Sequence, residues 1–270
     1  MMLSSKRKKE IARRFRKCPV DCPRYFETEI ASLSDFFSVF HYLLEPQETF
    51  WFRGHSDLEF QLAPSALRYG TVRKRERALG LVTDMKRFLG MRLNRPPAPE
   101  DNLGWMQVAQ HHGLPTRLLD WTQNAAVALF FACYEKPDVD GLVVILNPIE
   151  LNQSVDPKIS RIMDGERDSA VIQPYLKLGG RLNARGRRTI ALNPAWNNER
   201  IALQHGCFTL HGSRKFELDT NQAPSLVYVP ILHEHKESLL NELERVGIGE
   251  MFIFPEPEHV CSYLRRKEKL

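Results

Sequence analysis

The chain lacks the long apolar runs of a membrane protein: no stretch approaches the ~20 residues that a spanning helix needs. It has little cysteine. Five residues, Cys18, Cys22, Cys133, Cys207 and Cys261, make an odd and scattered set, which excludes a disulfide framework and reads as reduced, cytoplasmic usage. The start of the chain is basic and polar, without the apolar core of a secretion signal. G-x-S-x-G, P-loop and H-E-x-x-H motifs are all missing, so serine hydrolase, Walker-type phosphate-loop and zincin chemistry have no support. Gly247-Ile248-Gly249 has neither the third glycine nor the preceding strand of a dinucleotide loop. Cys18 and Cys22 have no Cys/His partners at finger spacing, and the histidine pairs His205/His211 and His233/His235 have no acidic cluster beside them in sequence. No metal is expected. Repeats and low-complexity tracts are absent too.

What is present is a 270-residue chain with an ordinary apolar fraction, enough for a sizeable core. The net charge of +5 is largely local. Lys6, Arg7, Lys8, Lys9, Arg13, Arg14, Arg16 and Lys17 crowd a basic arm over residues 1–24 and leave the remainder, 25–270, close to neutral. Such an arm is either a solvated terminus or a handle for nucleic acid or an acidic partner. The body is no electrostatic clamp for DNA.

Helical periodicity predicts a helix over 32–45 capped by Ser34, and another from Arg73 to Arg92 that buries Leu79, Leu81, Val82, Met85, Phe88 and Leu89. A Pro-rich loop over 94–101 leads to a helix over Leu103–His111. Ala125–Tyr134 is apolar on every side and therefore a buried helix, with Thr122 as its expected N-cap. Glu237–Val246 reads as a helix followed by a glycine, as helix ends prefer. Strands are predicted at Thr49–Arg53, stopped by Gly54, and at Leu142–Leu146, Thr189–Leu192, Cys207–Leu210, Ser225–Pro230 and Met251–Phe254. Residues 151–186 are polar and read as an insertion or a mobile loop. Strands and helices alternate without a βαβ rhythm, so the fold class is α+β, a mixed or antiparallel sheet core with surrounding helices.

Three segments concentrate polar chemistry. In Trp51-Phe52-Arg53-Gly54-His55-Ser56, an arginine at a strand end can offer its fork to a phosphate or carboxylate, and the glycine permits close approach. Equally, Arg53 could pair with a core acid such as Asp120. The run from Gln110 to Thr122 is the densest polar stretch and abuts the most buried helix. Asp120 is placed to accept from Arg53 or Arg117, and the alternative role of the segment is a structural polar knot. Gln204 precedes a glycine and a strand, where a glutamine is often a hydrogen-bond filler.

Together these segments resemble the FRG-domain family. Phe52-Arg53-Gly54 matches its naming motif, Leu62-Ala63-Pro64-Ser65 with Leu67-Arg68 its next element, and His111 to Thr122 its H-x-G-x-P-T-R-x-L-D-W-T signature. Arg200, Gln204, Gly206, Phe208 and Thr209 match the late element. The resemblance covers roughly 27–265. It implies a bacterial or phage-associated protein with toxin or antiphage-defence contexts and an ADP-ribosyltransferase-like layout. On that layout NAD or another nucleotide is the substrate, and Arg53, Asp120 and Gln204 are the catalytic candidates. Phe52, Gly54, His112, Thr116, Arg117, Trp121, Thr122 and Phe208 would line the binding site. A transferase needs negative charge near the oxocarbenium-like centre. Gln204 is neutral, so Asp120 or Glu199 supplies the charge, or the domain binds a nucleotide without cleaving it. A nucleic-acid-associated protein and a non-catalytic sensor remain the alternatives.

Overall fold

The computed structural model describes residues 24–25, 29–43, 48–165, 167–176, 188–193, 199–212 and 226–268. The basic arm, the Cys18/Cys22 turn and residues 177–187 lie outside them. The fold is α+β. Its sheet contains β1 (Arg24–Tyr25), β2 (Trp51–His55), β3 (Leu118–Thr122), β4 (Gly141–Leu146), β5 (Ile190–Leu192), β6 (Gly206–Leu210) and β7 (Leu226–Ile231). The order is β1-β7-β4-β2-β3-β6-β5. All neighbours are antiparallel except the two-residue β1, which runs parallel to β7.

The helices are α1 (Leu33–Leu43), α2 (Val72–Leu89), α3 (Asn102–His111), α4 (Ala125–Tyr134), α5 (Pro148–Val155), α6 (Ser169–Ile172), α7 (Glu199–Leu203), α8 (His233–Arg245), α9 (Glu250–Ile253) and α10 (Pro257–Lys267). One sheet face packs Phe52, Val143, Ile145, Val229 and Ile231 against the apolar α4, with α1 and α8 joining the same cluster. The opposite face gathers Trp51, Leu119, Trp121 and Val144 over Leu58 and Leu62. A third cluster, built on Leu118, Ile190 and Phe208, is covered by Val82 and Met85 of α2 and Trp105 and Met106 of α3. Every residue of β4 is buried, as a continuous apolar strand covered on both faces requires.

The sheet is not uniformly zipped. β4 and β7 share six register pairs, whereas β2 and β3 meet at the single pair Phe52↔Thr122 and diverge beyond it. Gly54 does not stop β2, which continues to His55. Its role is proximity: a Cβ there would sit 2.0 Å from the Ala128 carbonyl oxygen and 2.6 Å from the Ala132 nitrogen. Gly141 admits the same helix on β4, where a Cβ would fall 2.3 Å from Ala132 O. Two glycines thus let α4 lie directly on the sheet.

Several expectations are corrected. The N-cap of α4 is Asn124, whose Oδ1 accepts from Ala126 N at 3.0 Å, because Thr122 still belongs to β3. Ser32 rather than Ser34 opens α1: its Oγ accepts from Asp35 N at 3.1 Å while the Asp35 carboxylate reaches back to Ala31 N, a capping box. Phe88 faces solvent on the last turn of α2. Met251–Phe254 is no strand. After α8, Gly247 adopts φ +86 and closes a Schellman turn, with Ile248 N donating to Leu243 O and Gly247 N to Glu244 O. The chain then winds into α9, because a four-residue apolar run does not by itself separate strand from helix. The polar stretch after 150 carries α5 and α6 and places Met163, Ile172 and Tyr175 in the core.

Candidate functional site

The divergence of β2 from β3 opens a cavity of about 290 Å³. Phe52, Arg53 and Gly54 line it from β2, and Asp120, Trp121 and Thr122 from β3. Gln204 and Phe208 approach from the α7–β6 segment. Eight residues singled out from the sequence therefore surround one space.

Arg53 spans the gap between the strands. Its Nη1 donates to the backbone carbonyl of Asp120 at 2.6 Å and its Nε to His55 Nε2 at 3.0 Å. The contact with Asp120 is to the main chain and leaves the carboxylate for other partners. Burial pulls the guanidinium down to about 10, against the attraction of Asp120, so it remains cationic at neutral pH. His55 is held well below its ordinary range by burial and then by Arg53 and Arg68, so its imidazole is neutral. Because Nε2 accepts from Arg53, the ring proton resides on Nδ1. That atom is buried and has no hydrogen-bond partner among the described residues. A buried donor left unmatched costs about 1–3 kcal/mol.

Asp120 sits mid-strand with its side chain exposed between buried neighbours. Its Oδ1 accepts from Gln110 Nε2 at 2.5 Å. Gln110 Oε1 in turn accepts from Thr116 Oγ1. Thr116 Oγ1 also accepts from Leu118 N at 3.1 Å, and Thr116 N donates to Ser65 Oγ at 3.2 Å. The carboxylate is thus oriented by a hydrogen-bonded chain running back through the buried Thr116 to the turn around Ser65. Thr122 Oγ1 donates to the Gln204 carbonyl at 2.6 Å and ties the end of β3 to the Gln204 segment. Gln204 Nε2 donates one of its two hydrogens to Ile253 O at 2.8 Å. What it offers the cavity is an uncharged amide.

Trp121 is fixed from behind. Its Nε1 donates to Thr209 Oγ1 at 3.0 Å; Thr209 Oγ1 lies 3.0 Å from His211 Nε2, and His211 Nδ1 lies 3.3 Å from Thr189 Oγ1. Burial, with Arg53 adding, lowers His211 to about 3, so this relay is neutral.

Residues 48–141 match the family model described as the FRG domain. Over these residues the chain is similar to the FRG domain. The match includes Phe52-Arg53-Gly54 and the whole His111–Thr122 segment, while Arg200, Gln204 and Phe208 lie beyond it. No curated protein and no solved structure matches the chain at a significant level.

Not every candidate of the FRG motifs reaches the cavity. Thr116 is fully buried and acts on Gln110; Arg117 is buried before β3, where its carbonyl accepts from His211 N at 3.1 Å. His112 is exposed at the end of α3 and packs edge-on against His111, which lines the cavity in its place. Gln107, Gln110, His111, Val127, Phe131, Arg200 and Ile201 also line the cavity; Gln110, His111 and Arg200 stand in the segments singled out from the sequence, though not among its catalytic or binding candidates. Helical spacing carried the signal: Gln107 with Gln110 and His111, Val127 with Phe131, and Arg200 with Gln204 fall three or four residues apart, on one face of their helices. Arg200 lies over the Phe254 ring at 5.0 Å and pairs with Glu256 at 3.4 Å. The side chain of Glu199 is outside the described residues.

Cys133 and Cys207 are buried thiols, pushed up by burial, Cys133 to about 12. Neither is poised as a nucleophile. Glu29, Glu234 and His235 place one ligand atom each within 4.8 Å of the others and could hold a cation, but none of them lines the cavity. Their direct contact, His235 Nε2 to Glu29 Oε1 at 2.7 Å, fastens the segment before α1 to α8. No helix among the described residues is long and apolar enough to cross a membrane.

Proposed function

We propose that the cavity between β2 and β3 is a nucleotide pocket and that the domain is an ADP-ribosyltransferase-like enzyme acting on NAD or a related nucleotide. One observation carries the reading: a fixed guanidinium, an exposed carboxylate and a neutral acceptor converge on one cleft at a break in the sheet. Clefts with a few convergent polar groups are where small-molecule sites occur.

In this reading Arg53 draws the anionic part of the substrate to the cleft. The bond from the nicotinamide nitrogen to the ribose breaks, nicotinamide leaves with the bonding electrons, and positive charge develops on the ribose. Asp120 supplies the opposing negative charge, pre-oriented by Gln110 and Thr116. Gln204 accepts from a ribose hydroxyl. Water or an acceptor nucleophile then takes the ribose carbon and loses a proton. An enzyme of this kind, working in the bacterial cytoplasm, would deplete NAD or transfer its ADP-ribose as a toxin or antiphage effector. The basic arm would bring nucleic acid or an acidic partner, an attraction that weakens steeply with salt.

The test is incubation of the purified chain with NAD, with nicotinamide followed by chromatography and Arg53→Ala run alongside. Release by the wild type and its loss in a folded variant is the expected result. No release, with cell extract or nucleic acid supplied as acceptors, would overturn the enzymatic reading in favour of nucleotide binding without cleavage.

A further inference from the structure

A second cavity, of about 180 Å³, adjoins the first, and Arg53, Gly54 and Phe131 line both. Neither space alone reaches the roughly 300–1,000 Å³ of typical small-molecule pockets, whereas the two together do. The two differ in their linings. The first collects Gln110, Asp120 and Gln204, whereas four rings, Phe60, Phe131, Tyr134 and Phe254, stand around the second. The rings come from the loop after β2, from α4 and from the residue that follows α9. They are not equally available. Tyr134 stacks on Phe130 at 4.8 Å, and Phe254 is packed by Phe131, Tyr134, His259 and the Arg200 guanidinium. Phe131 meets Phe130 and Phe254 edge-on and has no stacked partner among the described residues. Phe60, 40 % exposed, meets the His55 ring edge-on and likewise has no stacked partner among them.

What can lie against these rings follows from what already does. The Lys136 ammonium lies 4.4 Å over Phe60, Arg200 lies 5.0 Å over Phe254, and Arg53 adds a guanidinium on the shared wall. Arg68 and Glu135, both exposed, line the cavity with opposite charges. Aromatic faces attract cations, and here the protein's own cations already use that attraction. A cationic ring would enter against them, whereas an uncharged one meets no such repulsion. Planar bases stack on aromatic side chains whatever their identity, because each has a π-face. His55 adds a direction. It lines the cavity, is 3 % exposed, and its Nδ1–H has no partner among the described residues. Buried donors are almost always paired in folded proteins, and an acceptor nitrogen on the edge of a ring would pair this one. A hydrocarbon ring would leave it unmatched.

We propose that the second cavity is a base subsite, in which an uncharged planar heteroaromatic ring with acceptor nitrogens, of the adenine kind, lies against Phe60 and Phe131 and accepts from His55 Nδ1–H. The sugar and phosphate attached to that ring pass Arg53 on the shared wall and continue into the first cavity. The proposal rests on the nucleotide reading for what occupies the first cavity, and on its own rings for the base. For NAD it assigns adenine to the second cavity and leaves the nicotinamide riboside half beside Asp120 and Gln204, so the base that is recognised and the bond that is cleaved lie in separate spaces.

The experiment is calorimetric titration of the full chain with AMP, ribose 5-phosphate, adenine and nicotinamide mononucleotide, whose ring is cationic, using wild type, Phe60→Ala and Phe60→Tyr. Phe60 is exposed, so both variants should melt with the wild type. The expected result is that AMP binds about 10-fold or more tightly than ribose 5-phosphate. Phe60→Ala should remove most of this ratio without changing the affinity for ribose 5-phosphate, and Phe60→Tyr should keep it. In NMR spectra of the complex the adenine protons should shift upfield and show contacts to the ring protons of Phe60 and Phe131. Ribose 5-phosphate binding with no gain from adenine in AMP would overturn the base subsite while leaving the nucleotide pocket standing. Adenine binding that Phe60→Ala weakens, with no binding of ribose 5-phosphate and no gain from it in AMP, would uphold the subsite and overturn the nucleotide reading. Nicotinamide mononucleotide binding with the same dependence on Phe60 would overturn the assignment of an uncharged ring. An AMP ratio untouched by Phe60→Ala, or no binding of any of the four probes, would also overturn the proposal.

Discussion

Asp120 is open to solvent at the centre of a strand whose other residues are buried, beside the place where β2 and β3 part. A carboxylate of this kind can be tested without disturbing the fold. Asparagine keeps the size and still accepts from Gln110, but it carries no charge. If Asp120 opposes charge that develops during reaction, Asp120→Asn should lower nicotinamide release by about 10²–10³-fold. Its melting temperature should stay within a few degrees of the wild type. Equal turnover would remove Asp120 from the chemistry; an unfolded variant would mark it as part of a structural knot. Gln110→Leu separates orientation from charge, since it deletes the donor that aims the carboxylate and leaves the carboxylate itself. Its loss of rate should be smaller than that of Asp120→Asn.

At the level of elements, the contact between α4 and the sheet depends on what is missing from Gly54. The ideal Cβ position falls inside the backbone of α4, at 2.0 Å from a carbonyl oxygen, so no rotamer change can relieve it. Gly54→Ala should destabilise the protein by about 3 kcal/mol, the upper end of overpacking costs, read from urea unfolding. Gly80, in the middle of α2, provides the control: a Cβ there meets nothing within 4 Å. Gly80→Ala should stabilise by about 0.5–1 kcal/mol, since alanine loses less freedom in a helix. Equal effects at the two positions would mean that α4 does not rest on β2 as described. The same elements show what a sequence discloses. The buried helix Ala125–Tyr134, the strands at 142 and 207 and the amphipathic α8 were legible because their periodicity is local. Residue type drew attention to Arg53, Asp120 and Gln204, but their convergence depends on how β2 and β3 diverge, which pairing across 67 residues decides. The exchange of His112 for His111 turns on the angle at which α3 ends, and no residue pattern encodes it. The strand expected at 251 failed because its apolar run is short and a glycine turn redirects the chain.

For the molecule as a whole, buried histidines on the two halves of the sheet couple stability to pH. His55 lies in β2 and His211 just after β6, both shielded from solvent and both held neutral, His211 down to about 3. Their folded pKa values lie below the unfolded value of about 6.5. The unfolded chain therefore takes up protons that the native state refuses, so the contribution is fully present above that pH and is lost as pH falls below it. Between neutral pH and pH 5 the His211 imidazole should withdraw about 2 kcal/mol of stability, before most carboxylates begin to titrate, and His55 acts in the same direction. His211→Gln isolates one of them. Its amide can still meet Thr209 and Thr189, and it does not titrate. Urea unfolding at a series of pH values between 7 and 5 should show a shallower slope in the variant, with similar stability at pH 7. An identical slope would mean that neither the burial of His211 nor the relay behind Trp121 governs the acid side of the stability curve. A flattened slope would show that the polar chain supporting the wall of the cavity is also a point at which acid loosens both halves of the sheet.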